Sequence, residues 1–357
     1  MRTSIYFLNV NIQDGFTLLL VELYEIPFDA CHELLQTLRR NSYRTTNKKA
    51  MSTSIRILDG GLGTDLFING GYNKDTLNDD PLWLSRVTYE NPSAVKNSHM
   101  RFIEAGCDII TTGSYQASVA GYMEHAKLSR EQAENVIASS VDIARKAIDE
   151  SAAERKIYIA GSISPYGAIL HDLSEYTGSY IDDTSYEKLR DYHFTNVHLL
   201  ASKGVDMLAF ETLPALKEAL VLVDLLKQYP NCKAWISFTT KDGIHTSYGD
   251  PFVEVFQTLA KYPQVFAIGS NCFDSNLTKT MLECAKKSIS SHQKCIIYPD
   301  NWKCANEVVK SSPLLWLPEI KEWLDTRMVS IVGGCCMTTP ININQIKKTV
   351  RDWEQSY

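Results

Sequence analysis

The sequence predicts a (β/α)8 barrel, the TIM-barrel fold, from about residue 51 to the end of the chain. Three observations predict it: short apolar runs recur eight times, helix signals lie between the runs, and polar residues follow them. The runs are continuous rather than alternating, which is typical of parallel strands buried on both faces. A doubly wound sheet is the competing architecture, but eight strand–helix units in about 300 residues fit a closed barrel better.

The strands and several helices can be assigned in chain order. The apolar runs that predict the eight strands are 56–58, 108–110, 157–160, 207–210, 234–238, 265–268, 295–298 and 329–332. Asn91 as N-cap and Pro92 at the first helical position open a helix that Gly106 ends. Ser129 and Gln132 form a capping box that opens the next helix. Apolar residues at helical spacing predict further helices over 186–200, 214–227 and 251–261.

Polar residues follow most of these runs. In a TIM barrel the functional residues collect at the C-terminal ends of the strands, so this bias predicts a site at that end of the barrel. The polar residues are Asp59, Thr111, Thr112, Ser162, Glu211, Asn271, Cys272, Cys335 and Cys336.

Composition and charge exclude several classes of function. The chain has 357 residues, 44% of them hydrophobic, and a net charge of −6 with acids and bases interspersed. No basic patch or aromatic–basic run indicates nucleic-acid binding. Nine cysteines are an odd number in a long chain without an evident signal peptide. We therefore expect no disulfide framework and a cytoplasmic location.

The chain is predicted to divide at about residue 50. We expect residues 1–50 to be a poorly ordered N-terminal extension of unknown role, and residues 51–357 to form the barrel domain. The apolar run 16–21 is far shorter than the roughly 20 residues that a membrane helix needs, and no signal-peptide cleavage site follows it. The basic, polar segment 38–49 is typical of a linker, and Met51 could itself be a start residue.

Three cysteines lie where a barrel enzyme would place a metal. Cys272 follows the sixth predicted strand, and the adjacent Cys335 and Cys336 follow the eighth. In a closed barrel only one strand separates the sixth strand from the eighth, so the three thiols can converge. Three soft ligands without an obvious fourth favour a catalytic zinc site with one open position. The alternative is a group of core cysteines beside the tight turn at Gly333 and Gly334.

Three thiolate ligands make zinc a weak Lewis acid, so hydrolysis is disfavoured. Such a site suits the binding of a further thiol, the loss of its proton and attack by the thiolate on an electrophilic carbon. Asp59 and Glu211, at two other strand ends, could hold an amino group between them. The glycine-rich turn after Asp59 fails the G-x-G-x-x-G pattern but can offer N–H groups to a carboxylate. The alternatives are that Asp59 caps a turn and that Glu211 pairs with a structural cation.

Several segments together resemble the homocysteine S-methyltransferases, a zinc-dependent barrel family that methylates homocysteine to methionine. The resemblance covers nearly all of the chain beyond the extension, and the two cysteine motifs are its most specific part. The segments around Pro165–Gly167 and Ser174–Tyr176 are similar to the branch that uses S-methylmethionine or S-adenosylmethionine rather than betaine. The matching segments are 57–66, 112–117, 161–167, 174–178, 210–214, 269–272 and 333–340.

The resemblance implies a role for each matching residue of the site. Cys272, Cys335 and Cys336 would ligate zinc, the one expected cofactor. Asp59 and Glu211 would hold the ammonium group of homocysteine. The expected activity is transfer of a methyl group from a sulfonium donor to homocysteine, giving methionine.

The resemblance also implies the remaining contacts and partners. The backbone at Gly60 and Gly61 would hold the carboxylate of homocysteine, and Asn271 would support the site from beside its cysteine. Tyr115 and Gln116 are further candidates for the pocket. The expected partners are small-molecule substrates, with no nucleic acid and no membrane, and the expected assembly is a monomer or a small homo-oligomer.

The sequence departs from the family pattern in one loop. The family has Tyr-Pro-Asn-Ser-Gly after the seventh strand, whereas this chain has Tyr298-Pro-Asp-Asn-Trp302, and the stretch 303–313 is also atypical. The loop borders the mouth of the barrel, so we expect its sequence to affect which methyl donor is preferred. The alternatives are a catalytically degenerate zinc-binding or thiol-sensing barrel, a redox protein that uses Cys335 and Cys336, and an enzyme that methylates selenocysteine or selenohomocysteine.

Overall fold

The computed structural model describes four ranges of the chain: 11–12, 15–16, 54–302 and 313–356. Two compact units are distinguished, Met1–Thr53 and Ser54–Tyr357. In the first, two-residue strands at Asn11–Ile12 and Gly15–Phe16 pair antiparallel. The predictions for the linker 38–49, for Met51 and for disorder in the extension lie outside the described residues, as does most of the atypical stretch 303–313.

The second unit is an eight-stranded parallel barrel, as the apolar runs predict. From β1 to β8 the sheet order is β1-β8-β7-β6-β5-β4-β3-β2. A parallel bridge between Leu58 and Ile109 joins the two edge strands, with the Asp59 N–H donating to the Ile109 carbonyl at 3.0 Å. The strands are β1 Arg56–Ile57, β2 Ile109–Thr111, β3 Tyr158–Ile163, β4 Met207–Leu213, β5 Ala234–Phe238, β6 Val265–Asn271, β7 Lys294–Tyr298 and β8 Val329–Val332.

Three strands run three residues further than their apolar runs predict. β3, β4 and β6 extend to Ile163, Leu213 and Asn271, so Ser162 and Glu211 lie within strands rather than after them. The apolar pattern stops early because these strand ends carry polar side chains into the mouth of the barrel. The site residues are therefore held by sheet hydrogen bonds, which favours a fixed geometry.

Helices follow or connect the strands. The predicted caps are confirmed: the Asn91 side chain accepts from the Ala94 N–H, Gly106 ends the helix with φ 109°, and Ser129 forms a capping box with Gln132. The helices are α1 Leu62–Ile68, α2 Lys74–Asp79, α3 Leu84–Glu90, α4 Pro92–Ala105, α5 Val119–His125, α6 Arg130–Glu150, α7 Tyr186–Ser202, α8 Leu216–Leu226, α9 Phe252–Leu259, α10 Thr278–Ser288, α11 Ile320–Asp325 and α12 Pro340–Glu354.

Apolar packing forms two layers around the sheet. Alternate strand residues such as Ile236 and Val332 pack in the large cluster with the helices. Their neighbours, such as Trp235 and Ile331, pack in a smaller cluster with residues from other strands. This alternation is that of a barrel whose interior is filled by side chains. Within the described part of the chain, no helix combines the length and the apolar character that a membrane crossing requires.

Candidate active site

The three predicted cysteines lie together at the C-terminal end of the barrel. Cys272 directly follows β6, while Cys335 and Cys336 lie in the turn after β8. Their Sγ atoms all lie within 4.8 Å of one another. The Sγ atoms of Cys272 and Cys336 are 3.5 Å apart.

Two of the three thiols form a disulfide. Cys272 and Cys335 are covalently bonded, and Cys336 is a free, half-buried thiol beside them. The sequence predicted no disulfide framework and did not predict this single bond. The odd count of cysteines and the absence of a disulfide framework do not exclude a bond between thiols that the fold gathers for another reason.

The reduced form of this cluster fits a metal ion. In a tetrahedral zinc site with Zn–S bonds of about 2.3 Å, neighbouring sulfurs are about 3.8 Å apart. The separation of 3.5 Å between Cys272 and Cys336 is close to that spacing. Because a disulfide sulfur is not a thiolate, the bond between Cys272 and Cys335 has to be reduced before all three can act as ligands.

The backbone around the cysteines is held in an uncommon conformation. Thr212, Cys272 and Met337 have positive φ values of 64°, 48° and 62°. Non-glycine residues in this region cost about 1–3 kcal/mol each and persist where the surroundings fix them. The Met337 N–H donates to Thr64 Oγ1 at 2.9 Å, which fixes the turn that carries the adjacent Cys336.

Asn271 braces two strand ends against each other. Its Oδ1 accepts from the Thr212 N–H at 2.8 Å, and its Nδ2 donates to Thr212 Oγ1, also at 2.8 Å. The same Nδ2 lies 3.8 Å from Cys335 Sγ, within reach of a weak hydrogen bond. Asn271 thus lies beside Cys335, and the supporting role that the resemblance implies for it stays a prediction.

Asp59 is buried at the end of β1 and is 3% exposed. Its carboxylate accepts from the Thr111 N–H at 2.8 Å and from Thr111 Oγ1 at 3.1 Å. Burial raises the pKa of Asp59 to about 8, and the hydrogen bond from the Thr111 backbone partly opposes that shift. The negative charge of Glu211 raises the pKa of Asp59 further.

Glu211 is buried at the end of β4 and is 8% exposed. The Ser162 hydroxyl donates to its Oε1, and the Tyr298 hydroxyl donates to its Oε2 at 3.0 Å. Burial raises the pKa of Glu211 to about 7, against the effect of these two hydrogen bonds. No described arginine or lysine pairs with Glu211, so the described residues do not support the alternative of a structural ion pair. The sequence does not reveal Ser162 and Tyr298 as its partners, because they come from other strands.

The glycine turn after Asp59 approaches other backbone closely. A Cβ at Gly60 would lie 2.6 Å from the Thr338 carbonyl oxygen, and one at Gly61 would lie 2.8 Å from the Cys335 carbonyl oxygen. The Gly61 N–H already donates to Thr338 at 3.0 Å. Of the two N–H groups expected to hold a carboxylate, that of Gly61 is therefore in use within the protein.

A cavity of about 850 Å³ joins these groups. Besides Asp59, Glu211 and the cysteines, it is lined by Tyr115 and Gln116, the further pocket candidates. It is also lined by residues to which sequence reasoning gave no role; the charged and aromatic ones include Lys74, His171, Glu175, Tyr176 and Lys241. Glu175 and Tyr176 belong to a segment that carries the family resemblance, and this was the only signal for them.

The divergent loop after β7 reaches both the cysteines and the cavity mouth. The Asn301 N–H donates to the Cys336 carbonyl at 3.0 Å, so the loop still holds the cysteine turn. Trp302 is 46% exposed at the mouth, and Lys74 Nζ lies 5.0 Å from the centre of its ring. The divergent loop thus places an indole beside Lys74 at the edge of the cavity.

Comparison with known proteins adds the family context. A family model described as homocysteine S-methyltransferase matches residues 56–350. Homocysteine S-methyltransferase 1 of Arabidopsis thaliana is 34% identical over 320 residues, which cover 83% of this chain and 93% of that protein. A betaine-homocysteine S-methyltransferase of Drosophila melanogaster is 36% identical over 298 residues, covering 76% of this chain and 87% of that protein.

Solved structures of the homocysteine methyltransferase MmuM from Escherichia coli are also similar. The metallated form is 35% identical with a TM-score of 0.72, and the match covers 85% of this chain and 98% of that chain. The oxidized form has the same identity and TM-score, covering 82% of this chain and 95% of that chain. The likeness therefore extends over nearly the whole of each E. coli chain.

Proposed function

Because this chain belongs to the homocysteine S-methyltransferase family, we propose that it transfers a methyl group from a sulfonium donor, S-methylmethionine or S-adenosylmethionine, to homocysteine. One observation carries the proposal: three cysteine sulfurs within 4.8 Å of one another share a cavity with two buried carboxylates. This set of groups matches a substrate that has both a thiol and an amino group.

We propose Cys272, Cys335 and Cys336 as zinc ligands. Zinc bound by three thiolates leaves one position for a further thiol, lowers its pKa and keeps the resulting thiolate nucleophilic. Asn271 contributes by fixing the strand end from which Cys272 projects and by placing its amide beside Cys335. The metallated form of the E. coli relative supports the assignment of a metal.

Asp59 and Glu211 hold the ammonium group of homocysteine in this proposal. Both are buried, and their hydrogen bonds come from neutral partners, so an ammonium ion would supply the missing counter-charge. The Gly60 N–H is the remaining backbone candidate for the substrate carboxylate, since Gly61 donates to Thr338. These contacts orient the substrate with its thiol directed to the cysteines.

Methyl transfer is then a single displacement. The homocysteine thiolate forms a bond to the methyl carbon with its own electron pair, and the bond between that carbon and the donor sulfur breaks. The pair of the broken bond stays on the donor sulfur, which leaves as a neutral thioether, so no general acid is needed. With S-methylmethionine, both products are methionine. Positioning of the two sulfurs in line supplies much of the rate.

Three other functions remain to be separated by experiment. A degenerate zinc-binding or thiol-sensing barrel would bind zinc and transfer no methyl group. A redox protein would use the cysteines without zinc. The third alternative accepts selenocysteine or selenohomocysteine as the nucleophile. The Drosophila relative carries the name of a betaine-dependent enzyme, so betaine belongs in the donor panel.

A donor panel tests the proposal. Reduced, zinc-loaded protein is incubated with homocysteine and S-methylmethionine, S-adenosylmethionine or betaine, with and without a zinc chelator, and methionine is measured. We expect methionine from a sulfonium donor and its loss with the chelator. Stoichiometric zinc without methyl transfer from any donor would favour the degenerate barrel. A reduced protein that takes up no zinc would contradict the proposal.

A further inference from the structure

One carboxylate in the cavity has an oxygen without a hydrogen-bond partner. Glu175 lies in the short turn Ser174–Tyr176 and lines the cavity that holds the cysteines. It is 8% exposed, and its Oε2 is buried without a hydrogen-bond partner. Asp59 and Glu211, in contrast, each accept two or more hydrogen bonds.

A buried carboxylate oxygen without a partner is costly. Burial disfavours its charged form unless an opposite charge or hydrogen-bond donors compensate. Burial raises the pKa of Glu175, in keeping with that cost. A protein that keeps such a group beside its active site retains a group that a bound cation would stabilise.

The surrounding structure fixes Glu175 in place. The Thr239 hydroxyl donates to its backbone carbonyl at 3.2 Å. The preceding turn packs so closely that a Cβ at Gly167 would lie 2.7 Å from the Glu175 backbone nitrogen and 2.5 Å from the Tyr180 ring. The Gly178 N–H closes the turn by donating to the Ser174 carbonyl at 2.7 Å. The carboxylate is thus presented by a packed turn rather than by a free loop.

Glu175, Tyr115 and Glu211 line the same cavity. Burial is the main cause that raises the pKa of the Tyr115 phenol, and the carboxylates of Glu175 and Glu211 both raise it further. Tyr115 is therefore within electrostatic range of both carboxylates. One of them belongs to the proposed homocysteine site, whereas Glu175 is a second negative group in the same cavity.

We propose that Glu175 binds the positively charged sulfur of the methyl donor. This inference rests on the proposed function and adds the residue that selects a sulfonium over its neutral thioether. After transfer the donor sulfur is neutral, so its attraction to Glu175 is lost and product release is favoured. The aromatic rings of Tyr115 and Tyr176, which line the same cavity, suit an onium group.

Binding of two near-identical ligands tests the assignment. Methionine and S-methylmethionine differ by one methyl group and one positive charge. Their affinities are measured by titration calorimetry on the reduced, zinc-loaded full chain and on Glu175→Gln, Glu175→Asp and Glu104→Gln. Glu104 is an exposed carboxylate on α4 that does not line the cavity, so its variant matches the chemical change.

We expect the wild-type protein to bind S-methylmethionine more tightly than methionine. Glu175→Gln should weaken S-methylmethionine binding by about 10- to 100-fold, the usual range for a lost charge-assisted contact, and leave methionine unchanged. Glu175→Asp should keep part of the preference and Glu104→Gln all of it. The thermal midpoint of Glu175→Gln should equal or exceed that of the wild type, because the substitution removes a buried charge whose Oε2 has no hydrogen-bond partner.

The outcomes separate this inference from the proposed function. It is overturned if the wild type shows no preference, if Glu175→Gln keeps the preference, or if that variant loses both ligands equally. If the wild type transfers the methyl group and Glu175→Gln keeps the wild-type preference for S-methylmethionine, the inference is refuted and the proposed function is not. A preference that depends on Glu175 in a protein that forms no methionine would refute the proposed function alone.

Discussion

At the scale of single residues, the site depends on two carboxylates that are buried without a counter-charge. Asp59 and Glu211 have raised pKa values of about 8 and about 7, mainly because they are buried. Near neutral pH, the empty site therefore holds protons that a bound ammonium group would displace. This links homocysteine binding to pH.

The affinity for a ligand with an ammonium group should rise with pH. Cation binding favours the ionised carboxylates, so it releases protons, and affinity rises with pH until the pH exceeds the pKa of Asp59. We expect the affinity for homoserine, which has the ammonium but no thiol, to rise from about pH 6 to about pH 8 and then level off. Calorimetry at constant ionic strength measures it. Glu211→Gln should bind about tenfold more weakly and show a shallower rise; an affinity independent of pH would contradict this role.

Asn271 provides a second prediction at this scale. Replacement by alanine removes both hydrogen bonds to Thr212 and leaves the Thr212 N–H buried without a partner. We expect Asn271→Ala to lower the free energy of unfolding by about 1–3 kcal/mol and to weaken zinc binding. Chemical denaturation and zinc titration measure the two effects. Asn276→Ala, an exposed asparagine near the same strand end, should change neither; equal losses in both variants would refute the bracing role.

At the scale of elements, α8 holds the segment that carries Glu175. Glu218 on α8 is fully buried, and its Oε1 accepts from the Tyr166 N–H and lies 2.7 Å from His193 Nε2. The Tyr180 hydroxyl donates to its Oε2. The Glu218 side chain thereby joins both ends of segment 166–180, which contains Glu175 and lines part of the cavity.

Replacing Glu218 by glutamine should destabilise segment 166–180. A glutamine amide keeps one acceptor oxygen and replaces the other with an NH₂ group. That NH₂ group would lie beside the Tyr166 N–H or the Tyr180 hydroxyl, both of which donate to Glu218. We expect the free energy of unfolding to fall by about 1–3 kcal/mol and the KM for the donor to rise more than the KM for homocysteine. Denaturation and steady-state kinetics measure both. Equal changes in the two KM values would show a general rather than a local effect.

The elements differ in how far the sequence predicts them. The eight strands and the helices opened by Asn91 and Ser129 follow from apolar runs and caps, which are local signals. The turn that presents Glu175 does not, because its conformation depends on close packing against Gly167 and on the distant Glu218. Short turns fixed by tertiary contacts leave no periodic pattern in the sequence.

At the scale of the whole molecule, barrel closure brings together residues that are far apart in the chain. The sequence indicated which residues stand at strand ends, and the fold rules then predicted that Cys272 and Cys335 converge. It could not predict the bond between them or the partners of Glu211. Those depend on distances of a few ångströms between side chains from different strands, which no local pattern encodes.

The bond between Cys272 and Cys335 predicts a dependence on reduction. Two of the three proposed ligands are unavailable to zinc while that bond persists. We expect the oxidised protein to bind no zinc at this site and the reduced protein to bind one ion per chain. Zinc content and free-thiol count, measured before and after reduction, test this. Cys232→Ser, a cysteine outside the cavity, should behave as the wild type.

The central claim is that three cysteines hold zinc so that homocysteine can accept a methyl group there. It is tested most directly with S-methylmethionine labelled in both S-methyl groups, homocysteine that carries a different label in its carbon chain, and reduced wild-type or Cys336→Ser protein. The account predicts labelled methionine formed from homocysteine with the wild type, and none above background with Cys336→Ser or after zinc removal. Undiminished label transfer by Cys336→Ser or by the zinc-free protein would contradict it.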